Sequence, residues 1–176
     1  MATSHTVFVY GTLKKGEPNH CVLSETLGFY EAQGCAVSVD AFPLVVGTRF
    51  NIPFMLNKRG EGHVAHPREL YVVDDAKLKV LDDLEAHPLL YTRTEEKFIR
   101  KDGSIVTAMV YMITKWRDDF LENASPLLEA YSSLGSHGRP YVDRYAREKL
   151  MQDEKSNLFI ELMGHDPRTA GELTGL

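Results

Sequence analysis

Glu85 is a carboxylate on the wrong side of a helix. Residues 72–88 read VVDDAKLKVLDDLEAHP, with Asp74 or Asp75 placed to cap a helix and Pro88 just past its end. On a wheel turning about 100° per residue, Leu78, Leu81 and Glu85 share one arc, while Lys79, Asp82 and Asp83 fall on the opposite, solvated side. Lys77 also intrudes on the apolar arc, with a stem long enough to carry its charge outward. A glutamate on a core-facing stripe must be neutralised, paired or opened to a cavity, because an isolated buried carboxylate is costly. Desolvation by the leucines and the negative end of the helix dipole both push its pKa upward. Such a group can accept and return a proton near neutral pH. The structural alternative is that Glu85 turns outward at the helix end or pairs with Arg93.

The second chemical element is Val7–Gly16, reading VFVYGTLKKG. Four β-favouring residues run into Gly11-Thr12-Leu13, then Lys14, Lys15 and Gly16. A buried strand that stops at a glycine frees the next backbone N–H groups from the sheet ladder. Glycine also tolerates the positive φ that lets those groups curl. Together these features make a cradle for an anion or a polarised carbonyl, although an ordinary first strand and turn would read the same way.

These features need a sheet and a helix to hold them. Strand-like runs are Val7–Tyr10, Ala36–Val39, Leu44–Val46, Phe54–Asn57, Glu69–Val73, Thr94–Arg100 and Ile105–Ile113, the last two flanking Asp102-Gly103 as a hairpin. Helices are expected from Asp75 to Ala86, from Asp119 to Tyr131, and within Tyr141–Met163. Strands outnumber helices without strict βα alternation, which favours an α+β fold around a mixed, closed sheet.

The 176 residues suit a single domain, here 1–176, with 43% hydrophobic and 26% charged residues. A net charge of −5 argues against nucleic acid as a partner. No apolar run approaches the ~20 residues of a membrane span, and no secretory signal is evident, so the expected location is cytoplasmic. Cys21 and Cys35 form no metal or redox motif, as expected in a reducing compartment. Without a heptad pattern or apolar stripe, a monomer is expected.

YGTLKKGEPNH at 10–20, NIPF at 51–54, ELYVVDDAKLKVLDDLE at 69–85 and LYTR at 90–93 resemble the γ-glutamylcyclotransferase-like proteins, in the same order, over about Val7 to Tyr145. SHGRPY at 136–141 is similar to a late motif of that family. The Thr-Leu-Lys-Lys-Gly form after Gly11 favours its γ-glutamylamine branch over enzymes of γ-glutamyl amino acids or glutathione. The resemblance implies a small mixed β-barrel with flanking helices and a pocket at the barrel's mouth. It implies release of 5-oxoproline from a γ-glutamyl group, with Glu85 as the catalytic carboxylate and Tyr10, Gly11, Thr12 and Leu13 binding substrate. It implies a small-molecule γ-glutamyl substrate such as γ-glutamyl-ε-lysine, with no cofactor and no metal. A non-catalytic module binding a small acid on the same fold is the reading from another class.

Arg68 stands where a glycine often occurs, a change expected to be confined to a turn. Residues 146–176 match nothing familiar and read as a C-terminal extension. Weaker constellations remain: His63 and His66 lack a third ligand, and Lys14, Lys15, Arg49 and Lys58 could attract an anion or simply be solvated. No serine sits in a nucleophile elbow and Cys21 has no evident activating partner.

Overall fold

The computed structural model describes residues 3–64, 68–150 and 157–169. In chain order the elements are β1 (Ser4–Val9), α1 (Cys21–Glu25), β2 (Tyr30–Ser38), β3 (Leu44–Gly47), β4 (Ile52–Met55), β5 (Arg68–Asp74) and α2 (Asp75–Leu84). They continue with β6 (Thr92–Arg100), β7 (Ile105–Met112), α3 (Phe120–Asn123), α4 (Arg144–Leu150) and α5 (Leu158–Met163). Five strands close a barrel in the order β1-β5-β2-β6-β7. All pairs are antiparallel except β1–β7, which meet in parallel at Val7 and Met109. β3 and β4 form a separate antiparallel ribbon. The α+β, mixed-barrel expectation holds.

Alternation along the strands sends residues to two hydrophobic clusters. Phe8, Tyr10, Ala36, Leu70, Phe98, Ala108, Val110 and Met112 make one. Val7, Val9, Tyr71, Val73 and Tyr111 share the other with Leu23 of α1 and Leu78 and Leu81 of α2. The wheel is right about Leu81, which is fully buried, and about Lys79 and Asp83, which are exposed and pair across one turn.

It is wrong about Lys77. Its side chain is fully buried, and Nζ donates to the carbonyls of Val22 (3.3 Å), Leu23 (2.7 Å) and Thr26 (2.9 Å) and to the Thr26 hydroxyl (2.9 Å). The last carbonyls of α1 have no partners within their own helix, and an ammonium brought across from α2 satisfies them. Gly28 lets the chain pass close to the first turn of α2: a Cβ there would lie 2.3 Å from the Lys77 backbone nitrogen.

Other differences have equally local causes. β2 begins at Tyr30, six residues before the apolar run, because a register shift between Ala32 and Cys35, with Gly34 at φ 80°, breaks its alternation. The helix expected over 119–131 stops after one turn. Pro126 disfavours helical backbone at Ser125, and the chain hydrogen-bonds along β3 instead, Ser125 N to Val46 O and Leu128 N to Leu44 O, both 2.8 Å. The helical segment expected within 141–163 appears as α4 and α5, with 151–156 outside the described residues. Arg68 is not in a turn. It opens β5, is only 3% exposed, and its guanidinium donates to the Glu129 carbonyl. No helix among the described residues is long and apolar enough to cross a membrane.

Replacing Lys77 by Met keeps the stem and removes the donor, leaving several carbonyls unsatisfied. Urea unfolding should show a loss of about 2–4 kcal/mol.

Candidate active site

α2 is capped at its start by Asp74, whose Oδ1 accepts from Lys77 N at 2.8 Å. Its end sets Glu85. Ala86 N donates to Asp83 O (3.3 Å) and His87 N to Asp82 O (2.9 Å), the paired bonds of a Schellman motif. The residue that must turn left-handed in this motif is usually glycine. Here it is Ala86, at φ 48°, which costs about 1 kcal/mol of backbone strain. The tight reversal leaves Glu85 as the C-cap, on the apolar arc rather than beyond it.

Glu85, Tyr10, Gly11, Thr12 and Leu13 all line one cleft, which encloses about 660 Å³ counted out to solvent. The residues singled out in the sequence are therefore brought together. Gly11 lies outside the left-handed region, so the expected use of positive φ does not apply. Its lack of a Cβ matters instead, since a Cβ there would sit 3.0 Å from Pro53 Cγ. The backbone N–H groups of Gly11, Thr12 and Leu13 have no acceptor among the described residues. Around them the bend is fixed by bonds from Asn19 N to Thr12 O and Asn19 Nδ2 to Thr12 Oγ1, both 2.9 Å, and by a contact of His20 Nδ1 with Leu13 O at 2.9 Å.

Four tyrosines line the cleft, and three of them, Tyr10, Tyr91 and Tyr111, donate their hydroxyls elsewhere. Tyr10 donates to Tyr111 O (2.7 Å) and accepts from Met55 N, Tyr91 donates to Pro53 O (2.8 Å), and Tyr111 donates to Asp82 Oδ1 (2.7 Å). Tyr10 is thus a pocket wall, not a hydroxyl donor to substrate. Asp82, expected in solvent, is partly buried because Arg93 and Tyr111, paired across β6 and β7, both reach it; Arg93 binds its other oxygen at 2.6 Å. This removes the alternative that Glu85 pairs with Arg93.

Among the described residues no group donates a hydrogen bond to the Glu85 carboxylate. Desolvation raises its pKa to about 7, and the Arg144 and Arg147 guanidiniums hold it from rising further. Those arginines, with Asn19, Tyr141 and Leu158, line the same cleft and were missed in the sequence. Asn51, at φ 54°, donates to Pro140 O at 2.8 Å, and Val142 N donates to Phe50 O at 3.1 Å. These bonds lay the SHGRPY segment beside NIPF and deliver Tyr141 to the cleft, where its hydroxyl meets Asn19 Nδ2 (3.0 Å). Asn19 and Tyr141 lie within the runs at 10–20 and 136–141, and the Arg144–Arg147 spacing puts two cations on one helix face. Arg49 and Lys58, weighed above as attractors of an anion, pair with Glu161 and Glu61. Lys14 donates to the Tyr131 carbonyl. His63 is exposed and His66 lies outside the described residues; among those described, no three His, Cys, Asp or Glu side chains gather to hold a metal.

The sequence model of the family described as "Gamma-glutamyl cyclotransferase, AIG2-like" matches residues 7–132. The chain belongs to this family, and is a cyclotransferase by class. It is 38% identical over 151 residues to a mouse protein named gamma-glutamylaminecyclotransferase, covering 80% of this chain and 98% of that one. It is 39% identical over 152 residues to gamma-glutamylaminecyclotransferase C of zebrafish, Danio rerio, covering 83% and 98%. The crystal structure of a mouse AIG2-like protein superposes with a TM-score of 0.75 at 36% identity, covering 80% of this chain and 97% of that one.

Two stability changes follow from this geometry. Ala86→Gly relieves the left-handed strain and should raise unfolding free energy by about 0.5–1 kcal/mol. Glu85→Gln should stabilise the protein in a pH-dependent way. Folded Glu85 keeps its proton to about pH 7, while an unfolded glutamate loses it near 4.5, so wild type loses stability as pH rises through that window. Thermal unfolding at pH 8 should place the variant above wild type by about 1–3 kcal/mol, discounted for partial exposure, with the gap narrowing towards pH 4.

Proposed function

We propose that the chain releases 5-oxoproline and a free amine from γ-glutamylamines such as γ-glutamyl-ε-lysine. The observation that carries the reading is the unpartnered Glu85 carboxylate, with its pKa near 7, sharing one cleft with three unbonded backbone N–H groups. The names of the mouse and zebrafish relatives support the γ-glutamylamine class of substrate.

In this reaction the substrate's α-amine attacks its own γ-carbonyl, closes a five-membered lactam and expels the amine. Nucleophile and electrophile belong to one molecule, so the cleft needs only to hold the folded-back conformer. The α-amine arrives as an ammonium. Glu85 takes one proton and passes it to solvent, and the freed lone pair forms the new C–N bond. The γ-oxygen gains negative charge, and the attacking nitrogen then gives its second proton to Glu85. N–H groups of the Gly11–Leu13 bend stabilise that oxygen or hold the α-carboxylate beside it. As the tetrahedral centre collapses, Glu85 returns the proton to the departing nitrogen. No water is consumed and no covalent enzyme intermediate forms.

The test is an assay of 5-oxoproline release from γ-glutamyl-ε-lysine, γ-glutamyl-alanine and glutathione, with wild type and Glu85→Gln. Wild type should prefer γ-glutamyl-ε-lysine, with kcat/KM rising through about pH 7 as Glu85 ionises. Glu85→Gln should fold and lose about 10²–10⁴-fold in rate. Undiminished turnover in that variant would remove the mechanism, and preference for the other two compounds would overturn the substrate class.

A further inference from the structure

We infer that Arg144 and Arg147 form a subsite for a carboxylate carried at the far end of the departing amine's aliphatic stem, so that the chain favours γ-glutamyl-ε-lysine over γ-glutamyl derivatives of simple amines. The inference rests on the reaction proposed above and concerns its leaving group. α4 lies outside the residues the family model matches, yet two of its side chains reach the cleft wall. Among the described residues they are its only cationic lining residues, and Glu85 is its only anionic one.

Arg147 is pre-aimed. One terminal nitrogen donates to the Tyr141 hydroxyl at 2.6 Å, the guanidinium lies 5.2 Å over the Tyr141 ring centroid, and Nε is buried without a partner. Arg144 is exposed, its one recorded contact a long 3.5 Å approach to Leu84 O. Neither is within ion-pair distance of a described carboxylate. A stacked, held guanidinium beside a freer one suits bidentate capture of a planar anion, and a lysine pair would do it less well.

The geometry also separates this anion from the γ-glutamyl head. The head must meet Glu85 and the bend at once, where unbonded N–H groups already offer donors for its oxygens. The leaving amine is the part of the substrate that continues from the γ-carbon towards solvent, and the exposure of Arg144 puts it on that path. In γ-glutamyl-ε-lysine the aliphatic stem of lysine carries a carboxylate out along this path.

A matched pair of substrates isolates the contact: γ-glutamyl-ε-lysine, and γ-glutamylcadaverine, which lacks only the lysine carboxylate. Wild type should favour the first by about 10-fold or more in kcat/KM, the worth of one charge-assisted contact. Arg144→Gln and Arg147→Gln should shrink that ratio towards unity, chiefly by raising KM for the carboxylate-bearing substrate. Arg144→Glu should invert it, since a carboxylate there repels one substrate and attracts the free ammonium of the other. Arg144 is exposed, so its variants test the idea without disturbing the fold. Read at a pH well above the Glu85 pKa of each variant, taken from its own kcat/KM profile, equal losses on both substrates would assign the arginines to the γ-glutamyl head and overturn the inference, as would an unchanged ratio. No 5-oxoproline from either substrate with wild type would instead remove the reaction on which it rests.

Discussion

The constraint on which the site depends is a carboxylate that the fold neither pairs nor lets out. A buried glutamate is ordinarily relieved by a cation, a hydroxyl or a backbone N–H. Around Glu85 each of these is engaged elsewhere: Arg93 by Asp82, and the hydroxyls of Tyr10, Tyr91 and Tyr111 by Tyr111 O, Pro53 O and Asp82. What remains is the aromatic wall of the cleft, with Arg144 and Arg147 too far off to close an ion pair. The elevated pKa therefore follows from how the neighbours satisfy themselves as much as from the depth of the glutamate, and a hydroxyl released towards Glu85 would favour its ionised form.

Holding a strained, unpaired group requires a stiff mount. α2 is fastened at its first turn by Asp74 and by Lys77, which grips the end of α1, and at its last turn by Asp82 and His87, the latter accepting from Arg93 N at 3.1 Å. Those tie points lie on α1, β6 and β7, so barrel closure sets the helix and the helix end sets Glu85. The opposing bend is tied in the same way through Asn19, whose amide joins Thr12 to Tyr141. Both halves of the cleft thus report on contacts far apart in the chain.

That division explains what the sequence discloses. Local pattern is enough for the barrel strands other than the first two-thirds of β2, for the cap at Asp74, and for Glu85, whose place among leucines follows from helical period alone. Gly11 is legible as a bend, but its actual use, making room for Pro53, is not, because Pro53 is forty-two positions away. The same holds for Lys77 and Arg68. A long cation on an apolar face reads as one that escapes to water, and only tertiary structure supplies carbonyls that keep it inside. The Asp119–Tyr131 helix fails for a related reason, since the edge of β3 competes with the helix for the same backbone groups and Pro126 decides the outcome. Tyr141 falls in the SHGRPY run and the two arginines share a helix face, but nothing local ties that segment to residues 50–51 and so to the cleft.

The two arginines also bear on why the glutamate ionises near neutrality. A carboxylate in full contact with a guanidinium would have its pKa driven down and would be a weak base at pH 7; one with no cation nearby would keep its proton well above it. Arg144 and Arg147 stand close enough to temper the desolvation without closing an ion pair, and the balance leaves Glu85 at about 7. Tyr141 holds Arg147 at that intermediate distance by stacking and by accepting its hydrogen bond. A bound carboxylate between the arginines would screen their charge and raise the Glu85 pKa further. Under the proposed reaction, occupancy of the leaving-group end and proton affinity at Glu85 would thereby be coupled through electrostatics alone.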